Sequence, residues 1–248
     1  IGFYCCCYCC SIMKLLKNWD NKTWLSSTKY ISSFKNFLKS KTKINRNLKI
    51  LDIGCGRANI ISYLHKQYKF KSKPIGVDII KNRGVKKNII FKKIDAIKYL
   101  KKTEILFDLI LIKQTIHFFK KKELNTILAL VKKNVVTGGT IFIFSLKTDQ
   151  NELPTFKKMK EKLAISLHKN KYVTQVIKKH FVRYKKSEFK YQVLISKKTY
   201  IEMIKNKYIS CLLDFSKKEI NKGINEIQSK YKKKIKFNDI LDCLVIQN

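Results

Sequence analysis

Short apolar runs alternate with amphipathic stretches between residues 48 and 146, and this alternation constrains the fold more than any other feature. Several runs have the length of a buried strand: residues 48–53, 74–77, 89–91, 107–112 and 140–144. The run at 107–112 is apolar throughout, which is typical of a strand buried on both faces of a parallel sheet. Strands that alternate with amphipathic helices predict an α/β domain built around such a sheet.

The stretches between these runs have helical periodicity. Two sets of apolar residues recur at a spacing of three or four: Ile60, Ile61, Leu64 and Tyr68 in the first, and Leu124, Ile127, Leu128 and Val131 in the second. The rhythm changes after residue 146. Helices are predicted near 155–168, 198–206 and 216–231, with a strand-like run at 189–195 and a last strand at 240–246. We therefore expect a helical cap over residues 150–235, inserted before the last strand.

The segment that follows the first strand is rich in glycine and reads DIGCGRAN over residues 52–59. Glycine lets the backbone turn sharply and approach a ligand closely, and the helix that follows offers free N–H groups. The dinucleotide-binding fingerprint G-x-G-x-x-G requires Gly or Ala at position 59, where this chain has Asn59. The loop therefore predicts a nucleotide-type ligand other than a dinucleotide.

Acidic residues follow the next two strands. Asp78 ends the second strand, where a carboxylate can accept hydrogen bonds from both hydroxyls of a ribose. Asp95 and Ala96 follow the third strand. Each carboxylate taken alone is also typical of an ordinary strand end at the surface. The glycine loop and the acidic residues, in this order, favour a ligand site at the carboxyl edge of the sheet.

These segments together resemble the motifs of the class I, seven-stranded, Rossmann-like methyltransferases that depend on S-adenosyl-L-methionine. The glycine loop resembles their motif I, with Ala58 in the position of the last glycine. The likeness covers residues 13–147, and residues 18–30 resemble the helical segment that closes over the cofactor. The later part is similar to the small-molecule branch that includes the trans-aconitate-type enzymes. The resemblance implies a three-layer fold with a mostly parallel seven-stranded sheet and S-adenosyl-L-methionine as the cofactor.

The resemblance also implies which residues contact that cofactor. Asp52 would hold the methionine ammonium group, Asp78 the ribose and Ile79 the adenine face. The full set of implied cofactor residues is Asp52, Gly54, Cys55, Gly56, Asp78, Ile79, Asp95, Ala96 and Lys113.

The segment after the fourth strand resembles the loop that lies beside the transferred methyl group. Methyl transfer is a displacement on an already activated sulfonium, so the protein mainly positions and desolvates the reactants. His117 is the candidate general base, and Gln114 is a candidate for contact with the methyl acceptor. A lone histidine beside Phe118 and Phe119 is also typical of a packed core residue. No metal site is predicted, because the C-x-x-C at Cys6 and Cys9 has no second pair at zinc-site spacing.

The chain is strongly basic, with a formal net charge of +38. Such a charge is typical of nucleic-acid binding, and it leaves an RNA or tRNA methyltransferase as an alternative function. However, the basic residues are nearly all lysine, spread over the whole chain, and dedicated phosphate readers favour arginine. We therefore expect methyl transfer to a small molecule, with an oxygen acceptor favoured. A non-catalytic protein that binds S-adenosyl-L-methionine is the third reading.

The cysteines form two groups with different implications. Isolated Cys55, Cys211 and Cys243 favour reduced thiols and a cytoplasmic protein. The cluster within the first ten residues belongs to a segment, 1–12, that we expect to be a non-native or disordered leader. Residues 13–248 would then form the methyltransferase domain, with a cofactor-binding core at 45–147. No stretch is long and apolar enough to predict a membrane span, and the sequence leaves the oligomeric state open.

Overall fold

The computed structural model describes residues 23–147 and 149–248, and it describes residues 166–170 by their backbone alone. The predicted leader at 1–12 and the beginning of the predicted lead-in segment, at 18–22, lie outside the described residues.

A seven-stranded sheet forms the centre of the molecule, and its strand order is β3-β2-β1-β4-β5-β7-β6. The strands are β1 Ile50–Ile53, β2 Ile75–Asp78, β3 Ile90–Lys93, β4 Phe107–Lys113, β5 Val135–Leu146, β6 Tyr184–Ser196 and β7 Lys234–Gln247. The pairs among β1 to β5 are parallel. Each predicted strand is present, with bounds that differ by a few residues.

The prediction of a mostly parallel sheet is corrected, because the sheet is mixed. Strand β7 runs antiparallel to both of its neighbours, β5 and β6. The connection between β6 and β7 explains this direction. After two α-helices the chain comes back to the C-terminal end of β6, where the Lys197 N–H donates to the Lys233 carbonyl at 3.0 Å. A strand that begins there must run back along β6. The apolar content of a strand carries no signal for its direction, so the sequence pattern missed this.

Seven α-helices pack on the two faces of the described sheet. They are α1 Thr28–Lys41, α2 Asn59–Tyr68, α3 Ala96–Lys102, α4 Lys121–Lys133, α5 Lys157–His180, α6 Lys197–Lys205 and α7 Lys217–Lys230. One face carries α1, α2, α6 and α7, and the other carries α3 and α4. Helix α5 contributes its first half to the first core and its second half to the other. The result is the predicted three-layer arrangement.

The segment 150–235 is not wholly helical, in contrast to the predicted cap. Its strand-like run is the C-terminal half of β6, a 13-residue edge strand of the main sheet. Helices α6 and α7 bury Tyr200, Ile204, Ile224 and Ile227 in the same core cluster as α1. These helices therefore belong to the helical layer of the domain. That they also cover a substrate stays a prediction.

Helix α7 approaches the chain before α5 so closely that only glycine fits at one of its positions. A Cβ atom added to Gly223 would lie 2.5 Å from ring carbons of Phe156. Both residues belong to the core on the α1 side of the sheet.

We predict that Gly223→Ala destabilises the protein, although alanine is favoured over glycine in a helix by about 1 kcal/mol. The overlap with Phe156 should outweigh that gain and give a net loss of about 1–3 kcal/mol in the free energy of unfolding. Urea denaturation measures the change. In a Phe156→Leu background the same substitution should cost less, which a double-mutant cycle reports. A Gly223→Ala protein more stable than the wild type would contradict the described packing.

Candidate active site

The glycine loop leaves β1 through a series of left-handed backbone conformations. Gly54, Gly56 and Ala58 have φ angles of 71°, 56° and 57°. A Cβ atom at Gly54 would lie 2.2 Å from Oγ1 of Thr115, so the loops that follow β1 and β4 pack directly against each other. A Cβ atom at Gly56 would have no heavy atom within 4 Å. The loop is therefore tightly packed where it leaves the strand and open at its tip.

Helix α2 begins directly after this loop with a terminus suited to an anion. Its N-cap, Ala58, has no side chain that can accept a hydrogen bond from the first turn. The N–H groups of a first helical turn carry partial positive charge and point outward along the axis. The end of α2 can therefore hold an anionic group of a ligand placed over the open tip.

Asp78, the last residue of β2, fixes the loop to its neighbouring strand. Its Oδ2 accepts the Gly56 N–H at 2.9 Å and its Oδ1 accepts the Ile80 N–H at 2.8 Å. Burial raises the pKa of the carboxyl group, and these backbone hydrogen bonds oppose that rise. Ile79, which lies between Asp78 and Ile80 in the chain, exposes 50% of its surface. An exposed apolar side chain beside a partly buried carboxylate is suited to a flat ring that carries a ribose.

Cys55 points away from the open side of the loop. A Cβ atom at Gly76 in β2 would lie 2.7 Å from Sγ of Cys55, so the thiol packs on that glycine. Burial raises the pKa of the thiol well above its ordinary value. Cys55 can therefore serve a ligand only through its backbone, and its side chain has a packing role.

Asp95 and Ala96 lie at the start of α3, at the same edge of the sheet. Oδ1 of Asp95 accepts the Lys98 N–H at 2.9 Å and so caps the helix. The side chain of Ala96 is buried in the core between the sheet and helices α3 and α4. The sequence pattern did not predict α3, although Asp is a preferred N-cap residue. A cofactor role for either residue stays a prediction.

Asp52 is a buried carboxylate near the end of β1, with only 4% of its surface exposed. Burial raises its pKa to about 7, against the lowering effect of Lys113 and with a further rise from Asp78. Such a group is partly protonated at neutral pH and gains most from a cationic partner. The structure thus brings Asp52, Asp78 and the glycine loop together, as the sequence pattern predicted.

Lys113, the last residue of β4, carries the positive charge that acts on Asp52. Its Nζ donates to Oε1 of Gln114 at 3.0 Å and lies over the rings of Tyr30 and Phe34, at 5.5 and 5.8 Å from their centroids. Gln114 itself has a φ angle of 52°, and its N–H donates to the Phe144 carbonyl at 2.8 Å. This turn directs both side chains at the carboxyl edge of the sheet.

His117 lies in a short 3₁₀ helix, Ile116–Phe118, that follows the same turn. Its ring packs on the ring of Phe118 with 4.1 Å between centroids, and the side chain is half-buried. This placement is compatible with a packed aromatic pair and with a residue beside the site. A role for His117 or Gln114 in catalysis stays a prediction.

A second buried carboxylate at this edge, Asp239 of β7, was not predicted from the sequence. It exposes 2% of its surface, and its Oδ2 accepts the indole N–H of Trp24 at 2.9 Å. Lys113 also acts on it electrostatically, while burial raises its pKa. The available signal was weak, because β7 also contains Asp242 and because Asp239 directly precedes the predicted strand at 240–246.

The described residues contain neither a metal-binding cluster nor a membrane-spanning helix. No group of three or more His, Cys, Asp or Glu side chains is placed to hold a metal ion within the described ranges. In the same part of the chain, no helix is both long and apolar enough to cross a membrane.

Comparisons with known proteins show similarity of fold but not of sequence. No family model and no curated protein matches the chain. The plantazolicin methyltransferase BpumL, solved with a pentazolic desmethylPZN analog and SAH, is 17% identical, with a TM-score of 0.54 and coverage of 95% of this chain and 90% of that one. A SAM dependent methyltransferase from Archaeoglobus fulgidus is 18% identical, with a TM-score of 0.52 and coverage of 88% and 92%. The N-methyltransferase NodS from Bradyrhizobium japonicum WM9, in complex with SAH, is 12% identical, with a TM-score of 0.50 and coverage of 95% and 96%. The chain therefore has the α/β fold of SAM-dependent methyltransferases, and the particular trans-aconitate-type branch is not among these findings.

We predict that Gly54→Ala destabilises the protein more than Gly56→Ala does. Both substitutions place a side chain at positive φ, which costs about 1–2 kcal/mol. Only the first also drives a methyl group into Thr115, which should add about 1–3 kcal/mol. Urea denaturation of the two variants gives the difference. Equal losses of stability would show that the two loops are not packed as described.

Proposed function

We propose that the chain is an S-adenosyl-L-methionine-dependent methyltransferase that acts on a small molecule, with oxygen as the acceptor atom. The observation that carries the proposal is the glycine loop, tied by its Gly56 N–H to the carboxylate that ends β2 and open at its tip. The fold supports it, and two solved structures with that fold contain SAH.

The residues at the edge fit this cofactor group by group. The exposed side chain of Ile79 offers an apolar surface to the adenine. Asp78 presents carboxylate oxygens to the ribose, and the first turn of α2 can hold the methionine carboxylate. The buried carboxylate of Asp52 lacks a full counter-charge, and the methionine ammonium would supply it.

The bound cofactor supplies an activated methyl group on a sulfonium. The protein then needs to align an acceptor with the methyl–sulfur bond and to exclude water. Lys113, which ends β4, and Gln114, which follows it, lie at the carboxyl edge of the sheet and are the residues that we assign to this position. The chemistry requires a proton acceptor only where the acceptor atom carries a proton at neutral pH.

Two alternatives remain for the function, an RNA or tRNA methyltransferase and a non-catalytic protein that binds the cofactor. The net charge of +38 favours the first, but the lysines are spread over the chain rather than confined to the carboxyl edge. The buried charged side chains at that edge are Asp52 and Asp239. Neither residue offers a buried cation to a phosphate backbone, and this supports a small acceptor.

We predict that Asp78→Ala weakens the binding of S-adenosyl-L-methionine at least tenfold. The substitution removes the acceptor of the ribose hydroxyls, and hydrogen bonds to a charged group contribute about 1.5–3 kcal/mol each. Isothermal titration calorimetry measures the dissociation constant. Glu202→Ala, an exposed carboxylate in α6, is the control and should bind as the wild type does. Unchanged affinity in Asp78→Ala would refute the assignment of the cofactor site.

We predict that cofactor affinity depends on pH through Asp52. Its pKa in the free protein is raised to about 7, and the ammonium group binds the ionised form. Affinity should be full above pH 7 and fall by about tenfold for each pH unit below it, because a proton must leave before the ion pair forms. Calorimetry between pH 5.5 and 8.5 tests this. Asp52→Asn should bind more weakly and without this dependence, and an identical pH profile in both proteins would exclude Asp52.

A further inference from the structure

The hydroxyl of Tyr30 is a fully buried polar group that has no hydrogen-bond partner within the described part of the chain. The ring is enclosed by Phe34, Phe189 and Tyr191, at centroid distances of 6.3, 5.5 and 5.1 Å. An unpaired buried hydroxyl destabilises a protein, and phenylalanine would fill the same space without that loss. A buried hydroxyl that lowers stability in this way is expected where a bound ligand forms the missing hydrogen bond.

Asp239 lies on the same side of the sheet and at the same edge. Side chains alternate along strands, and Asp52, Lys113 and Asp239 occupy the alternate positions that face α1. The carbonyl of Ile240 accepts the Lys147 N–H just beyond the end of β5, so Asp239 belongs to the carboxyl edge. Tyr191, whose ring centroid lies 5.1 Å from that of Tyr30, is the register partner of Asp239 in the β6–β7 pair, which places Tyr30 and Asp239 near each other.

The anchoring of Asp239 leaves it able to serve a ligand. Its hydrogen bond from Trp24 engages Oδ2, and no bond to Oδ1 is found among the described residues. The Trp24 ring packs edge-on against Tyr208 and Phe237, at centroid distances of 5.6 and 5.2 Å. The carboxylate is thus held in place through one oxygen by a rigid aromatic group.

The charges at this edge select the kind of group that can bind there. Under the proposed function, the methionine ammonium offsets Asp52 and leaves Lys113 to offset Asp239. A cationic acceptor would then add a charge that the sulfonium repels, and an anionic acceptor a charge that the Asp239 carboxylate repels, in a buried site where screening is weak. A neutral group that both donates and accepts a hydrogen bond adds none.

We propose that the Tyr30 hydroxyl and the Asp239 carboxylate bind a neutral hydroxyl group of the acceptor. This inference rests on the proposed function and specifies the chemical group that accepts the methyl. Tyr30 donates to the acceptor oxygen, and Asp239 accepts the hydrogen of the acceptor hydroxyl. As that oxygen attacks the methyl carbon, the O–C bond forms and the C–S bond breaks with its electron pair kept by sulfur. The hydroxyl proton moves to Asp239, which later releases it to water.

The first test compares Tyr30→Phe with a matched control, Tyr200→Phe. Tyr200 is equally buried, but its hydroxyl donates to the Pro154 carbonyl and lies 2.9 Å from the Tyr208 hydroxyl. The melting temperature of Tyr30→Phe should equal or exceed that of the wild type, whereas Tyr200→Phe should melt several degrees lower. A Tyr30→Phe protein as destabilised as Tyr200→Phe would give the hydroxyl a structural role and overturn the proposal.

The second test measures transfer to acceptors that differ only in the reacting group. Phenol, benzyl alcohol and 1-hexanol are compared with aniline, benzylamine, hexylamine, benzoate and hexanoate, by release of S-adenosylhomocysteine. We expect methylation of hydroxyl acceptors, a kcat/KM at least tenfold lower in Tyr30→Phe, and a kcat at least 100-fold lower in Asp239→Asn with cofactor affinity unchanged. The Asn side chain keeps an oxygen for the Trp24 N–H, so the fold is retained.

Two further results would overturn the acceptor assignment. One is methylation confined to amines or carboxylates, or absent from every hydroxyl acceptor. The other is full activity in Tyr30→Phe or Asp239→Asn. Failure of the proposed function itself has a different signature, because the wild-type protein would then bind no S-adenosyl-L-methionine by calorimetry.

Discussion

The packing of the loop after β1 against the loop after β4 fixes the geometry of the whole edge. Gly54 lies so close to Thr115 that no side chain fits between them, and its N–H donates to the Val77 carbonyl of β2 at 2.9 Å. Gly56 then donates to Asp78. The ends of three adjacent strands are thereby held in one arrangement. A ligand that spans them meets a preformed surface, so little of its binding energy is spent on ordering the protein.

The sequence predicts those parts of the fold that depend on the periodicity or the residue types of a short segment. The strands and most helices have periodicities that a short window reveals, and the Gly54–Gly56 turn needs residue types that few other structures require. Asp78 is predicted at the carboxyl edge because its position follows from the strand that it ends. Each of these features depends on neighbours in the chain alone.

The parts that the sequence missed depend on contacts between distant segments. The direction of β7 is set by where β6 ends, and the pairing of Trp24 with Asp239 joins residues 215 positions apart. Cys55 belongs to the predicted loop, yet its thiol faces Gly76, because the turn rotates the side chain toward β2. A pattern fixes which residues lie in a loop, whereas the packing of the neighbouring strand decides where their side chains point.

The charged residues at the surface differ in kind from those in the interior, and this difference distinguishes the effect of composition from a functional requirement. The chain has 55 basic and 17 acidic residues, and a random choice of buried charges would mostly select lysine. Yet the charged side chains that are buried in the described residues are both aspartates, Asp52 and Asp239. Both lie at the carboxyl edge, and burial raises the pKa of each, so neither is stabilising by itself. A bias in composition acts on exposed positions, where lysine is readily solvated. Buried carboxylates that oppose both this bias and stability are the residues that the proposed function pairs with bound groups, and this pairing does not depend on the identity of the acceptor.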